Sequence, residues 1–245
     1  MIRAVLFDLG DTLLNFGPVD HYAAFREGAA LAHAYLLELG QPVPDLETYH
    51  RRQLRAIERA YLWSRLSRRD CNALEVMARI NRKMDLTTHP EHLRHLAGLF
   101  YDPVRRQGVP EPDVHEVLDW LRRRPCKLAI ISNTIVPGVT LDDHMRQEGL
   151  IDYFPDRFYS CDVGCRKPQR RIFRMALDRL GVEPAQAVFV GDTLEADVKG
   201  ANRAGMISVL KAPDTRRPND RTQPDHVITA LRDLPDLIEG IDRTR

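Results

Sequence analysis

Long apolar runs are missing from this chain. No stretch approaches the roughly 18 consecutive apolar residues that a membrane-spanning helix needs. The N-terminus also lacks the basic segment, apolar stretch and small-residue cleavage site of an export signal. We therefore expect a cytoplasmic protein without a membrane partner.

An excess of charge of either sign is missing too. The 36 basic and 35 acidic residues nearly cancel, so the protein as a whole has no general attraction for nucleic acid. Cysteine is scarce: Cys71, Cys126, Cys161 and Cys165 occur in a chain without export features, where thiols usually stay reduced. We expect no disulfides. Cys161 and Cys165 have no second close pair with which to complete a structural zinc site.

What is present is the pattern of an α/β protein. With 245 residues and 43% hydrophobic content, the chain can form a full α/β core and one modest extra domain. A buried strand is predicted from Ala4, and the chain is then helical as far as about Arg106. The helices predicted in that block are 20–40, 45–69, 72–83 and one that begins at Pro90.

From residue 107 onward, short apolar runs alternate with helical segments, which is typical of a parallel sheet. The predicted strands are 127–132, 158–160, 187–190, 207–210 and 226–228, and the predicted helices are 113–124, 142–149, 169–180, 194–204 and 230–240. The fold class is therefore α/β, a Rossmann-like parallel sheet with helices on both faces and an inserted all-helical domain. We expect residues 1–15 and 108–245 to form the core domain and 16–107 the helical domain. We assign no function to the long connection 211–225.

Polar side chains follow three of the predicted strands. Asp8 ends the first, Ser132 and Asn133 end the second, and Asp192 follows the strand that begins near Ala187. In an open parallel sheet these ends share one edge, where ligands bind. Two carboxylates there are costly unless a cation joins them, and a hard ion such as Mg²⁺ fits oxygen ligands. Taken alone, an aspartate such as Asp8 could equally cap a following helix.

A phosphoryl group would suit the same edge. Ser132 and nearby backbone amides can donate hydrogen bonds to phosphate oxygens, and Lys167 can supply positive charge. A carboxylate held against a metal and a lysine can act as a nucleophile.

Four segments in this order resemble the haloacid dehalogenase superfamily of hydrolases with a helical cap. They are Phe7-Asp8-Leu9-Gly10-Asp11-Thr12-Leu13, Ile131-Ser132-Asn133, Lys167-Pro168 with Ile172-Phe173, and Gly191-Asp192-Thr193-Leu194-Glu195-Ala196-Asp197. Each segment alone is weak, but their order and strand context together are specific. The helical block corresponds to the cap that many members carry after the first segment.

The resemblance implies a role for each matching residue. Asp8 would be the nucleophile that forms an aspartyl-phosphate and would also bind Mg²⁺. The metal ligands would be completed by Asp192, the backbone carbonyl of Gly10, and Asp197, directly or through water. Ser132, Asn133 and Lys167 would hold the phosphoryl group, and Thr12 would fix the turn. The implied substrate is a small phosphorylated metabolite, which the sequence does not identify further.

One position departs from the phosphatases of that family. They carry an aspartate two residues after the nucleophile, which protonates the leaving group and later activates water, and here that residue is Gly10. Positioned acid–base catalysis commonly contributes about 10²–10⁴ in rate, so we expect a phosphatase that is slow or limited to good leaving groups. Asp11 or a residue of the cap could substitute, Asp11 because glycine at position 10 allows unusual backbone conformations.

Two alternatives remain open on the sequence. Haloacid dehalogenases also lack that acid, but displacement of halide needs no metal and gains nothing from Asp192 and Asp197. The other alternative is a weakly active phosphate-binding protein that has lost its acid. We favour a magnesium-dependent phosphatase that acts through an aspartyl-phosphate.

Overall fold

In the computed structural model, which describes residues 1–67, 70–212 and 222–244, strand β1 (Ala4–Phe7) lies inside a six-stranded sheet. Most of the 211–225 connection therefore falls outside the described residues. The strands are β1, β2 (Leu14–Asn15), β3 (Val109–Pro110), β4 (Lys127–Ser132), β5 (Asp156–Tyr159), β6 (Ala187–Gly191), β7 (Ile207–Lys211) and β8 (His226–Ile228). The main sheet has the order β5-β4-β1-β6-β7-β8, and all of its pairs are parallel.

The helices agree with most of the predicted positions. They are α1 (His21–Glu38), α2 (Leu46–Ser67), α3 (Ala73–Arg82), α4 (Pro90–Arg105), α5 (Val114–Arg122), α6 (Gly138–Gln147), α7 (Ser160–Val163), α8 (Arg170–Leu180), α9 (Lys199–Ala204) and α10 (Leu234–Arg243). A π-helical turn, Leu194–Val198, precedes α9 where one continuous helix was predicted. The last helix likewise begins later than predicted, after a 3₁₀ turn at Leu231–Asp233.

Helix α6 begins four residues earlier than predicted. The backbone N–H of Gly138 donates to the carboxylate of Asp162 at 3.1 Å, so α7 satisfies the start of α6 from another part of the chain. A β-carbon at position 138 would lie 2.3 Å from that carboxylate. Because the contact joins separate elements, the local sequence around residue 138 does not predict it.

The central strand buries both of its faces. Val5 and Phe7 join a core cluster with residues of α5, α6 and α10, whereas Ala4 and Leu6 join a second cluster with residues of α8 and α9. Successive side chains of a strand point to opposite faces of the sheet, so β1 contributes alternately to the two layers. This layering gives the doubly covered sheet that the sequence predicts.

The four helices α1–α4 are inserted between β2 and β3. These two short strands pair antiparallel, with Asn15 opposite Val109, so the chain leaves and re-enters the α/β part at one place. The insertion has its own apolar cluster, which includes Leu36, Tyr49 and Leu96. Gly28 of α1 is required for its packing, because a β-carbon there would lie 2.7 Å from the backbone of Phe100 in α4.

Among the described residues, no helix combines the length and the apolar character that crossing a bilayer requires. The four cysteines lie within the described residues and are free thiols.

Candidate active site

Asp8 immediately follows β1, at the carboxyl end of the central part of the sheet. Its backbone N–H donates to the carbonyl of Val190 in β6 at 2.9 Å, which extends the strand pairing by one residue. Its Oδ1 accepts the backbone N–H of Leu9 at 2.7 Å. The side chain is 14% exposed, so the carboxylate lies at a fixed position at the edge of the buried core.

Lys167 joins two of the carboxylates in this region. Its Nζ lies 2.9 Å from Oδ1 of Asp8 and 2.7 Å from Oδ1 of Asp197, and its side chain is 1% exposed. The ammonium also stands 5.2 Å from the ring centre of Phe189. Burial alone would lower the pKa of Lys167, but attraction from Asp197 and Asp8 outweighs it and raises that pKa above its ordinary value. The two neighbouring carboxylates thus favour the charged form of Lys167 in the site.

The backbone of Lys167 is held by Asn133. The Asn133 side-chain amide donates to the Lys167 carbonyl at 3.0 Å, and its Oδ1 accepts the Lys167 N–H at 2.8 Å. The peptide bond between Lys167 and Pro168 is cis. The sequence interpretation assigned Asn133 to the phosphoryl group, whereas in the structure both polar ends of this side chain bind the lysine loop.

Asp197 is buried by the turn that precedes it. Its Oδ2 accepts both the backbone N–H of Thr193, at 3.0 Å, and the Thr193 hydroxyl. Gly191 makes room for it, since a β-carbon at position 191 would lie 2.5 Å from the Asp197 carboxyl carbon. Glycine is therefore needed at position 191 because a larger residue would collide with Asp197. The sequence interpretation did not identify this steric requirement.

Asp8, Asp192 and Asp197 form one acidic cluster. One carboxylate oxygen from each lies within 4.8 Å of the others. Burial, and then the neighbouring charge of Asp197, raise the pKa of Asp8 to about 6 against the attraction of Lys167. Burial, followed by the charges of Asp8 and Asp197, raises the pKa of Asp192 to about 7. Three carboxylates beside one lysine leave negative charge uncompensated, and an all-oxygen donor set of this kind fits a hard divalent cation.

The turn after Asp8 differs from the sequence interpretation in one respect. Asp11, not Gly10, has the left-handed backbone conformation, with φ of 53°. The Asp11 carboxylate accepts the N–H of Phe16 at 3.2 Å, and the Asp11 carbonyl accepts from Lys211 Nζ at 2.8 Å. Gly10 therefore gives the turn no special freedom, and Asp11 uses its carboxylate to close the turn.

Thr12 and Ser132 are both buried near this turn. Thr12 is fully buried, and its hydroxyl finds no hydrogen-bond partner within the described parts of the chain. Ser132 ends β4 and is 7% exposed. Together with Gly10, Asp11 and Asn133, Ser132 lines a pocket of about 310 Å³ at the carboxyl ends of the strands.

Residues of the helical insertion complete that pocket. His21 at the start of α1, together with Tyr101 and Val104 of α4, lines it opposite the strand ends. Sequence analysis did not identify these residues, because only the packing of α1 and α4 over the sheet brings them to the site.

An ion pair with a buried aspartate connects the insertion to the lysine loop. The Asp70 side chain is 2% exposed, and its Oδ1 lies 2.9 Å from Nη1 of Arg166, the residue before Lys167. The hydroxyl of Ser160 donates to the other Asp70 oxygen at 2.5 Å. Sequence analysis missed this contact as well, because its partners are about 90 residues apart.

Comparisons with known proteins agree on the fold and on a class of chemistry. The haloacid dehalogenase-like hydrolase family matches residues 2–205. A glyceraldehyde 3-phosphate phosphatase of Methanopyrus kandleri is 30% identical over 98% of this chain and 99% of its own. A phosphoserine phosphatase of Thermus thermophilus is 31% identical over 95% and 98%. Among solved structures, a 2-haloacid dehalogenase of Pseudomonas syringae pv. Tomato matches with a TM-score of 0.69 and 25% identity, over 98% of this chain and 99% of that one.

Proposed function

The chain belongs to the haloacid dehalogenase-like hydrolases, and we propose that it is a magnesium-dependent phosphatase of small phosphate esters. The observation that carries the proposal is the position of Lys167 Nζ, 2.9 Å from Asp8 and 2.7 Å from Asp197, with a carboxylate oxygen of Asp192 in the same cluster. The phosphatase names of the two whole-chain relatives support the same reaction class.

Asp8 would act as the nucleophile. Its Oδ1 takes the contacts from Lys167 and Leu9, so Oδ2 is the oxygen we assign to attack on phosphorus. The bond from Oδ2 to phosphorus forms as the ester P–O bond breaks, and the leaving oxygen keeps the electron pair until it is protonated. Water then attacks phosphorus, the bond to Asp8 breaks, and inorganic phosphate leaves.

Lys167 would compensate charge throughout this sequence. As a buried cation it keeps Asp8 ionised and attracts the phosphoryl oxygens. Asn133 would position the lysine by holding its backbone, and the pocket-lining hydroxyl of Ser132 is available to donate to a phosphoryl oxygen. Thr12 would bind the phosphoryl group and help to fix the turn; its buried hydroxyl has no partner among the described residues and is free to take one.

Asp8, Asp192, Asp197 and the Gly10 carbonyl would hold Mg²⁺, which when bound would neutralise charge on the phosphoryl oxygens. The support for this ion is the cluster of three carboxylates against one ammonium, together with the raised pKa values of Asp8 and Asp192. A site without a second cation leaves this group of charges unbalanced.

The helical insertion would act as a cap over the site. We propose 16–107 as the cap domain and 1–15 with 108–245 as the core domain. The antiparallel pair of Asn15 with Val109 at the junction supports these limits, as does the separate apolar cluster of the insertion.

Phosphate release from a panel of metabolites tests the proposal. The panel includes glyceraldehyde 3-phosphate and phosphoserine, with Mg²⁺ or with EDTA. We expect metal-dependent turnover that Asp8→Asn abolishes and that Asp143→Asn, an exposed carboxylate change in α6, leaves intact. Equal turnover by Asp8→Asn would overturn the nucleophile assignment. Tight phosphate binding without turnover would indicate a phosphate-binding protein instead.

Dehalogenation is the second candidate, because Gly10 provides no general acid and a 2-haloacid dehalogenase shares the fold. Halide displacement requires no metal, so it leaves the roles of Asp192 and Asp197 unexplained. Chloride release from 2-chloropropionate that is unaffected by EDTA would favour this candidate over the phosphatase.

A further inference from the structure

An apolar cavity of about 640 Å³ lies between the helical insertion and the loop that follows β4. Its walls are largely aromatic and aliphatic, and they include Phe25, Ile57, Met77, Phe100 and Ile135. Within the described part of the chain no lysine or arginine lines it, and Glu58 is the one charged side chain of its wall besides the titratable His21. Such a cavity disfavours a second phosphate, a carboxylate or a polyol and favours an apolar group.

The cavity adjoins the pocket at the strand ends. His21, Tyr101, Val104 and Val136 line both spaces. A phosphate ester whose phosphoryl group lies at the strand ends would direct its alcohol portion toward these four residues and the apolar cavity behind them. The cavity is thus placed to hold the group that leaves.

The chemistry of the site favours a particular kind of leaving group. Gly10 cannot donate a proton, and the Asp11 carboxylate closes its own turn through Phe16. His21 of the insertion also lines both spaces, but no hydrogen bond within the described residues orients its ring. A site without a positioned acid cleaves the P–O bond fastest when the departing oxygen is stable as an anion. A phenol, with a pKa of about 10 as in tyrosine, meets this condition far better than an aliphatic alcohol does.

Resting on the proposed phosphatase function, we propose that the substrate is the phosphate monoester of a phenol, with its aromatic ring in the apolar cavity. The bond from Asp8 to phosphorus forms as the bond from phosphorus to the phenolic oxygen breaks. The electron pair remains on the phenolate, which takes a proton from water after departure. A second water then releases inorganic phosphate and restores the Asp8 carboxylate.

Three esters separate the two parts of this proposal. Phenyl phosphate has the ring and the good leaving group, benzyl phosphate has the ring and a poor leaving group, and glycerol phosphate has neither. With Mg²⁺ we expect a similar, low KM for phenyl and benzyl phosphate and a KM at least about 10-fold higher for glycerol phosphate, as burial of a ring implies. We expect phenol to leave phenyl phosphate at least about 100-fold faster than benzyl alcohol leaves benzyl phosphate in a single turnover, the range of missing acid catalysis. Single-turnover release is measured because hydrolysis of the aspartyl-phosphate is common to all three esters.

A variant that fills the cavity tests where the ring binds. Ala73, half-buried at the start of α3, lines the cavity, and its N–H donates to the Ile135 carbonyl at 3.0 Å. Ala73→Phe keeps that hydrogen bond and occupies the space, so we expect KM for phenyl phosphate to rise about 10-fold and KM for glycerol phosphate to stay unchanged. The matched control is Ala60→Phe, which enlarges a residue in a surface depression that shares no lining residue with the cavity.

A second measurement does not depend on the variant folding. Phenylphosphonate should inhibit the wild-type protein at least 10-fold more tightly than methylphosphonate. Equal inhibition by the two, or equal kcat/KM for phenyl and glycerol phosphate, would overturn the inference and leave the phosphatase proposal standing. Absence of phosphate release from every ester would overturn both.

Discussion

Asn133 holds Lys167 by its backbone, donating to the carbonyl at 3.0 Å and accepting from the N–H at 2.8 Å. The ammonium of Lys167 is thereby fixed between Asp8 and Asp197. A side chain at the end of one strand thus sets the position of a cation that belongs to a different loop.

Asn133→Ala should misplace the lysine. We expect kcat to fall about 10- to 100-fold, because small displacements of a catalytic group are costly, and the free energy of unfolding to fall by about 1–3 kcal/mol. Steady-state kinetics and urea unfolding measure the two effects. A rise in KM with kcat and stability unchanged would instead support direct binding of phosphate by Asn133.

Lys167→Met should remove the cation and keep the volume of the side chain. Breaking a buried ion pair leaves uncompensated charge, which costs about 3–5 kcal/mol, so we expect severe destabilisation at pH 8 without metal. The loss should be smaller at pH 5, below the raised pKa of Asp8, about 6. Urea unfolding at the two pH values checks this. Lys199→Met, which alters a half-exposed ion pair with Glu195, should change stability by less than about 1 kcal/mol at either pH.

The pKa values of Asp8 and Asp192 are raised to about 6 and about 7. They predict that a rise in pH destabilises the metal-free protein and increases its stabilisation by Mg²⁺. Unfolded carboxyl groups titrate near 3.9, so between these values the folded protein binds more protons than the unfolded chain does. That stabilisation is present below about pH 4 and is lost as the pH rises through 6 and 7.

We therefore expect the metal-free protein to melt at lower temperature at pH 7.5 than at pH 5.5, and Mg²⁺ to stabilise it more at pH 7.5. Thermal melts with EDTA or Mg²⁺ measure both trends. Asp192→Asn should flatten them. Metal-free stability that rises over this interval would contradict the prediction.

Gly10→Asp should supply the missing acid. Gly10 lies outside the left-handed region, and a β-carbon there would approach nothing closer than 3.8 Å, at the Phe16 ring. We expect single-turnover release of the alcohol from benzyl or glycerol phosphate to become about 10- to 100-fold faster, with a much smaller gain for phenyl phosphate. Gly10→Asn, which has the same size without an acidic proton, is the control. An equal gain from both variants would exclude acid catalysis as the cause.

Asp11→Asn should leave turnover within about twofold of wild type, because the asparagine Oδ1 can still accept the Phe16 N–H. Assays with glycerol phosphate, whose leaving group depends most on an acid, are the sensitive test. A loss of 100-fold or more would identify Asp11 as the substitute acid.

Much of the fold follows from local patterns in the chain. β4 was predicted at its observed limits because Leu128 to Ile131 form one buried apolar run ending at a polar residue, and α4 begins at Pro90 as the first-turn preference of proline indicates. Such local patterns could not predict contacts between segments that are distant in the sequence. The early start of α6 depends on Asp162, and the place of Asp70 depends on Arg166.

In the candidate site, too, some features could be predicted from local patterns and others could not. The strand ends that carry Asp8 and Asp192 could be predicted to meet, because parallel strands end at one edge of a sheet, and the structure does bring their carboxylates together. The contact of Asn133 with the lysine loop and the approach of His21 and Tyr101 from the insertion depend on tertiary packing, which one sequence does not encode at adjacent positions.

The ion pair of Asp70 with Arg166 connects the helices over the site to the residue that precedes Lys167. An outward movement of those helices would either break this ion pair or displace the lysine loop. The position of these helices and the placement of the Lys167 ammonium are therefore coupled through one ion pair.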